Sequence, residues 1–71
     1  MDFSMYLRMT RHFYGLTQAD FAEKIGYKQS TISDVENKRK NPSDKLKAAV
    51  TRTFPRTDEF DRFLVELKGS V

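Results

Sequence analysis

The strongest constraint on the fold of this chain is a glycine that lies between two short segments with helical periodicity. Gly26 can adopt a left-handed backbone conformation without a Cβ penalty, so it predicts the end of one helix and a sharp turn into the next. The apolar residues before and after it recur at helical spacing: Phe21, Ala22, Ile25, Ile32 and Val35. Ala22 is small where the helix before Gly26 must lie close to the helix after it. The sequence therefore predicts two short helices packed at a tight bend, over about residues 17–37.

The length and composition of the chain restrict what can surround this pair of helices. With 71 residues we expect a single domain over residues 1–71. Cysteine is absent, which excludes disulfides and thiolate metal sites, and no apolar run reaches the length of a membrane span. The net charge of +3 is unevenly placed, with a basic middle and an acidic end. These features favour a soluble intracellular domain with a surface that attracts polyanions, although ordinary solvated helix faces explain the charge equally well.

Three further helices are predicted from periodicity and from helix-ending residues. A first helix covers residues 2–14, carries the apolar face of Phe3, Leu7, Thr10 and Tyr14, and stops at Gly15. After the predicted helix at about residues 29–37, Pro42 interrupts the chain and Ser43 caps a fourth helix, with Thr57 capping a fifth. The stripe of the fourth helix is Leu46, Ala49, Val50, Thr53 and Phe54. We therefore expect an all-α fold, a compact domain of five helices.

The outer face of the predicted third helix is entirely polar. Because Ile32 and Val35 point inward, the opposite positions are Gln29, Ser30, Ser33 and Asp34. Glutamine can bind adenine through N6 and N7, serine can contact several bases, and aspartate can accept from cytosine N4. The arrangement is that of a helix-turn-helix whose second helix enters the major groove of DNA. Taken alone, these four positions also fit an ordinary solvated face.

The sequence resembles the phage-repressor and Cro-type helix-turn-helix family, also called the XRE family, over about residues 7–54. The residues that carry the resemblance are Leu16-Thr17-Gln18, Ala22, Gly26, Ile32-Ser33, Glu36 and Pro42-Ser43. The resemblance implies a lambda-repressor-like fold and a regulator of transcription that binds a palindromic operator in double-stranded DNA as a homodimer. It also implies a bacterial or phage-encoded protein of the cytoplasm, associated with the nucleoid.

The resemblance assigns roles to individual residues. Gln18 matches a glutamine that contacts a DNA phosphate, and the base-reading positions are Gln29, Ser30, Ser33 and Asp34. The loop that lies along the phosphate backbone contains Lys38, Arg39 and Lys40. Arg11 and Glu36 match a structural ion pair that joins the first helix to the third.

Three residues depart from the family pattern. Position 38 is commonly glycine, and because Lys38 stands there, we expect Asn37 to take the left-handed turn. Position 28 is commonly a serine or threonine cap; Lys28 opposes the helix dipole but can contact a DNA phosphate instead. Asp34 places an acid in the major groove, where it either rejects wrong sites or leaves base reading to Gln29 and Ser30.

The fifth helix carries more apolar side chains than a small helix usually hides. We expect the homodimer contact there and in the tail that follows, through Phe60, Phe63, Leu64 and Leu67. The alternative is that these residues complete the core of the monomer.

Other functions remain open at this stage. A protein-interaction module, either an antirepressor or a scaffold that keeps the fold without binding DNA, is one alternative, and a toxin–antitoxin autorepressor is another. No enzyme, cofactor or metal site is expected, because the chain has one histidine, no cysteine and no glycine-rich phosphate loop.

Overall fold

Five helices form the chain in the computed structural model, which describes residues 2–69 and the side chains of residues 2–67. Their bounds are α1 Phe3–Phe13, α2 Gln18–Ile25, α3 Gln29–Glu36, α4 Asp44–Thr53 and α5 Asp58–Gly69. The all-α prediction is confirmed, and the boundaries that the sequence predicted lie within one or two residues of their expected positions. No helix within the described range is both long and apolar enough to cross a bilayer.

Side-chain oxygens cap four of the five helices at their N-termini. Each oxygen accepts a hydrogen bond from the backbone N–H three residues later, at 3.0–3.1 Å. These residues are Asp2, Thr17, Ser43 and Thr57. Such a bond satisfies one of the N–H groups that a helix leaves open, and losing it costs about 1 kcal/mol. The exception is α3, where Lys28 precedes the helix and provides no side-chain cap.

The bend between α2 and α3 is formed by Gly26, whose φ of +79° lies in the left-handed region. Tyr27 then donates its backbone N–H to the carbonyl of Ala22 at 2.9 Å, which closes the end of α2. This turn sets α3 against α2, as expected for a helix-turn-helix.

A different residue from the one predicted ends α3. Asn37 has an ordinary φ of −91°, and Lys38 takes the left-handed conformation with a φ of +60°. The expectation for Asn37 was therefore wrong. The reason is a Schellman motif, in which the Lys38 N–H binds the Val35 carbonyl at 3.1 Å and the Arg39 N–H binds the Asp34 carbonyl at 2.8 Å. This bonding fixes position 38 as the left-handed residue, whatever its side chain.

The core joins the inner faces of the first four helices. Its buried members are Leu7, Phe21, Ala22, Ile25, Ile32, Val35, Leu46, Ala49, Val50 and Phe54. Ala22 is buried where α2 and α3 meet, as its small size predicted. Thr53 was expected on an apolar face but is exposed at the last residue of α4. Tyr14 follows α1 as its C-cap and is 40% exposed, although its ring packs on Phe54 at 4.9 Å.

Aromatic contacts attach α5 to α1. The Phe60 ring lies edge-on to Tyr6 at 5.6 Å and to Phe13 at 5.3 Å between centroids, and Leu64 is buried one turn later. Phe60 and Leu64 therefore belong to the interior of the monomer, and their assignment to a dimer surface was wrong. Phe63 is partly buried and Leu67 is 39% exposed, so these two remain at the surface of α5. Residues 70 and 71 of the tail lie outside the described residues.

Candidate nucleic-acid interface

The predicted reading face of α3 points away from the core. Ile32 and Val35 are buried on the inner side of the helix, whereas Gln29 and Ser30 are exposed at its first turn. The N-terminal residues of a recognition helix are the ones that reach base edges. Within the described part of the chain, the side chains of Gln29 and Ser30 bind no other residue, so their donors and acceptors are available to a ligand.

The other two reading positions lie one turn further along α3 and are partly buried. Asn37 donates its side-chain amide to the Ser33 carbonyl at 2.9 Å and contacts the Ser33 hydroxyl at 3.4 Å. The Asp34 carboxylate lies 3.7 Å from the Arg39 guanidinium. Ser33 and Asp34 are therefore engaged by neighbours from the α3 C-terminus, unlike the pair at the first turn.

The buried Glu36 carboxylate joins three helices at the C-terminal end of α3. Arg11 from α1 binds it with two parallel hydrogen bonds, Nε to Oε2 at 2.8 Å and Nη2 to Oε1 at 3.0 Å. Gln18 from α2 donates its amide to Oε1 at 3.3 Å. Arg8 adds a contact of its Nε to Oε1 at 3.5 Å and donates to the Glu36 carbonyl at 3.2 Å. The arrangement holds the start of α2 and the end of α3 in a fixed relation.

The electrostatics of Glu36 favour its charged form. Burial raises the pKa of this carboxyl, but the hydrogen bonds from Arg11 and Gln18 and the charges of Arg11 and Arg8 outweigh burial, so the pKa lies below its ordinary value. Removing Arg11 would leave the buried carboxylate with the longer Arg8 contact and Gln18 alone, and removing Glu36 would leave Arg11 without its charged partner.

Gln18 could contact a DNA phosphate through its side-chain amide or through its backbone N–H, and the geometry distinguishes the two. Its side-chain amide nitrogen turns inward to Glu36, so the amide itself does not extend toward solvent as a free donor. Its backbone N–H lies in the first turn of α2, where N–H groups have no partner within the helix and favour an anion.

The basic loop after α3 is more neutralised than its sequence suggests. Lys38 binds the Asp2 carboxylate at 3.0 Å, and Arg39 lies beside Asp34. The Met5 N–H and the Lys38 ammonium hold the pKa of Asp2 at about 2, well below its usual value. Lys40 and, before α3, Lys28 are exposed and have no side-chain partner in the described part. Of the cations expected at phosphates, these two are the ones free to bind them.

A groove of about 330 Å³ lies beside α3 and extends to the start of α4. Polar residues on its walls include Thr31, Lys40, Asn41 and Ser43. The other lining residues are Tyr27, Val35 and Leu46, so the groove is largely apolar and contains none of the four reading positions.

Comparison with known proteins agrees with this geometry. A family model described as helix-turn-helix matches residues 14–54. An uncharacterized HTH-type transcriptional regulator of Archaeoglobus fulgidus is 38% identical over 48 residues, which is 68% of this chain and 69% of that protein. The chain belongs to the XRE-type helix-turn-helix family. No solved structure gives a significant match.

Membership of this family confirms the resemblance and supports a DNA-binding regulator of transcription rather than an enzyme. The matched segment contains the bend at Gly26, the whole of α3 and the basic loop. The residues at which the polar surface is built therefore lie inside the region that defines the family.

Two residues of α1 and its N-terminus that contact this surface were missed by sequence reasoning. Arg8 lies three residues before Arg11 and so shares its face of α1, a spacing that could have indicated a second arginine for Glu36. Asp2 could have been identified as a helix cap by its place before an apolar helix, but its contact with Lys38 joins residues 36 positions apart and had no local signal.

Proposed function

We propose that the protein is a sequence-specific transcriptional regulator that binds a palindromic operator as a homodimer. The observation that carries the proposal is the outward polar face of α3, in which Gln29 and Ser30 are exposed opposite the buried Ile32 and Val35. Base edges in the major groove present donors and acceptors that glutamine and serine can bind.

The proposal distributes two kinds of contact over this surface. Gln29, Ser30 and Ser33 read bases, together with Asp34. Lys28 and Lys40, which have no side-chain partner among the described residues, bind phosphates and supply affinity that depends on salt but not on sequence. The backbone N–H of Gln18 adds a phosphate contact at the start of α2.

A homodimer is proposed because one copy of α3 reads only a few base pairs. Two half-sites one helical turn apart, about 34 Å, give the specificity that a regulator needs. The surface of α5 is the proposed contact between the copies. Phe63 and Leu67, four residues apart on one side of the helix, remain from the residues predicted for it, and one side of the Phe63 ring packs on Phe13 at 5.2 Å.

The experiment is selection of bound sequences from a random pool of duplex DNA, followed by titration of the winning sequence. We expect a palindromic consensus with two half-sites about 10 base pairs apart. Replacing Gln29 with Ala should weaken binding to the consensus by about 1–3 kcal/mol and leave binding to unrelated DNA nearly unchanged. The matched control is Arg52→Ala in the exposed last turn of α4, outside both the reading face and the proposed α5 contact, and it should bind like the parent protein.

Several results would contradict the proposal. Equal loss of affinity for all sequences in the Gln29 variant would show that this residue does not read bases. A consensus without twofold symmetry, together with a monomer in sedimentation equilibrium at the DNA-binding concentration, would refute the homodimer.

One observation favours a second function, that of a protein-interaction module. Two of the three cations in the basic loop are neutralised by Asp2 and Asp34, which weakens the attraction for phosphates. A mobility-shift titration with nonspecific DNA at low salt separates the two functions. No shift at micromolar protein would favour an antirepressor or scaffold.

A further inference from the structure

The backbone at the end of α3 folds the basic loop onto Asp34. The Asp34 carbonyl accepts hydrogen bonds from two successive residues of the loop, from the Arg39 N–H at 2.8 Å and from the Lys40 N–H at 3.3 Å. The Schellman motif thereby fixes the start of the Arg39 side chain over the last turn of the reading helix. The position of Arg39 is a consequence of backbone hydrogen bonds and not of a chance surface contact.

The side chains of this pair meet at the edge of the proposed reading face. The Arg39 Nη1 lies 3.7 Å from the Asp34 Oδ1, and the two side chains are 68% and 38% exposed. An ion pair in such a solvated position contributes little to stability. The ion pair has a larger effect on the charge of the reading face, because Asp34 is the one acidic residue among the four reading positions. A carboxylate without a cation beside it would be repelled by the phosphates on both sides of the major groove.

A carboxylate in the groove can only accept hydrogen bonds. Guanine presents two acceptors there, N7 and O6, and thymine presents O4 and a methyl group, so neither offers a donor. Adenine offers its N6 amino group, but with the acceptor N7 beside it. Cytosine offers the N4 amino group without a neighbouring acceptor on the same base, and it is therefore the edge that best fits Asp34.

We infer that Asp34 selects a C·G pair in each half-site by accepting a hydrogen bond from cytosine N4, and that Arg39 is the positioning residue that neutralises this carboxylate in the groove. The inference rests on the proposed function and deepens it. It also changes the role of Arg39, which acts through Asp34 and not as an independent phosphate contact.

The experiment compares base preferences of the parent protein with those of Asp34→Asn, Arg39→Ala and Arg39→Lys, by selection and by titration of half-site variants. In the parent, one position per half-site should prefer C by about five- to tenfold, the size expected for a single contact to one base pair. Asp34→Asn should move the preference at that position from C to A, because an amide can bind adenine N6 and N7 together.

The arginine variants test the coupling. Arg39→Ala should reduce the C preference at that position to about twofold or less, and Arg39→Lys should restore most of it by restoring the positive charge. In a double-mutant cycle, Arg39→Ala should have little further effect on this preference once Asp34 is Asn. Thermal unfolding of each variant checks that the fold is retained, and Arg52→Ala should leave the whole profile unchanged.

The outcomes separate this inference from the function on which it rests. If the parent selects a consensus but Asp34→Asn leaves every position unchanged, the inference is refuted and the proposed function stands. If Arg39→Ala weakens binding equally for all four bases and for nonspecific DNA, Arg39 is a phosphate contact and the coupling is refuted. If the parent selects no sequence at all, the proposed function fails, and this inference fails with it.

Discussion

Because Lys38 has a left-handed conformation, glycine at this position should give a more stable protein than alanine does, which is the reverse of their usual order in a helix. A residue with a Cβ in this conformation costs about 1–2 kcal/mol, and glycine avoids this cost. Glycine also gains freedom in the unfolded chain, which lowers stability by about 0.4–1 kcal/mol relative to alanine. Both Lys38→Gly and Lys38→Ala remove the contact with Asp2, so that term is the same in the two variants.

The difference between the two variants therefore isolates the backbone. We expect Lys38→Gly to be more stable than Lys38→Ala by about 0.5–1 kcal/mol. For a domain of this size, that difference is about 2–8 °C in Tm. The measurement is thermal unfolding followed by circular dichroism at 222 nm, with urea unfolding as a second estimate of the free energy. The matched control is Ala48→Gly at an exposed position inside α4, where glycine should lower stability by about 1 kcal/mol.

A third variant tests which residue carries the turn. Asn37→Gly should be destabilising, because Asn37 has an ordinary φ and its side chain donates to the Ser33 carbonyl. The reasoning is refuted if Lys38→Ala is as stable as Lys38→Gly, or if Asn37→Gly raises the Tm. Either result would mean that Lys38 does not take the left-handed conformation in solution.

Three further predictions concern charge. Replacing Lys40 with Ala should lower affinity equally for all DNA sequences and reduce the slope of log K against log salt by about one, whereas Arg52→Ala should leave the slope unchanged. An unchanged slope in the Lys40 variant would remove this residue from the phosphate surface. Glu36→Ala should lower the free energy of unfolding in urea by about 3 kcal/mol. This is the low end for a broken buried pair, because the Arg11 side chain keeps 16% exposure. The control is Glu23→Ala at an exposed position, which should change the free energy of unfolding by less than about 0.5 kcal/mol. Because the folded-state pKa of Glu36 is lowered, its contribution to the free energy of unfolding is complete above the ordinary value of 4.5 and is lost as pH falls through the folded-state pKa. Urea midpoints measured at decreasing acidic pH should therefore fall less steeply for Glu36→Gln than for the parent. Parallel curves for the two proteins would contradict this.

Local chemistry predicted much of the fold. The caps at Thr17, Ser43 and Thr57 and the turn at Gly26 depend on residue types that act within a few positions of themselves. Periodicity also separated the inner and outer faces of α3. Such features need no knowledge of the tertiary arrangement, which explains why the sequence was sufficient for them.

The errors came from competition between local preference and longer-range geometry. Asparagine adopts the left-handed conformation more readily than lysine, yet the hydrogen-bond pattern at the end of α3 selects the position and not the residue type. The pairing of Lys38 with Asp2 depends on where α1 begins in space. The burial of Phe60 depends on how α5 packs on Tyr6 and Phe13, which no periodicity within α5 can decide.

The three-helix junction at Glu36 and the exposed first turn of α3 lie at opposite ends of the same helix. The groups that hold α3 in place are therefore not the groups that would meet a base. Exchanging Gln29 or Ser30 for other polar residues leaves the contacts that anchor the helix intact. Substitutions at these two positions can therefore change DNA specificity without a loss of stability that other substitutions would have to restore.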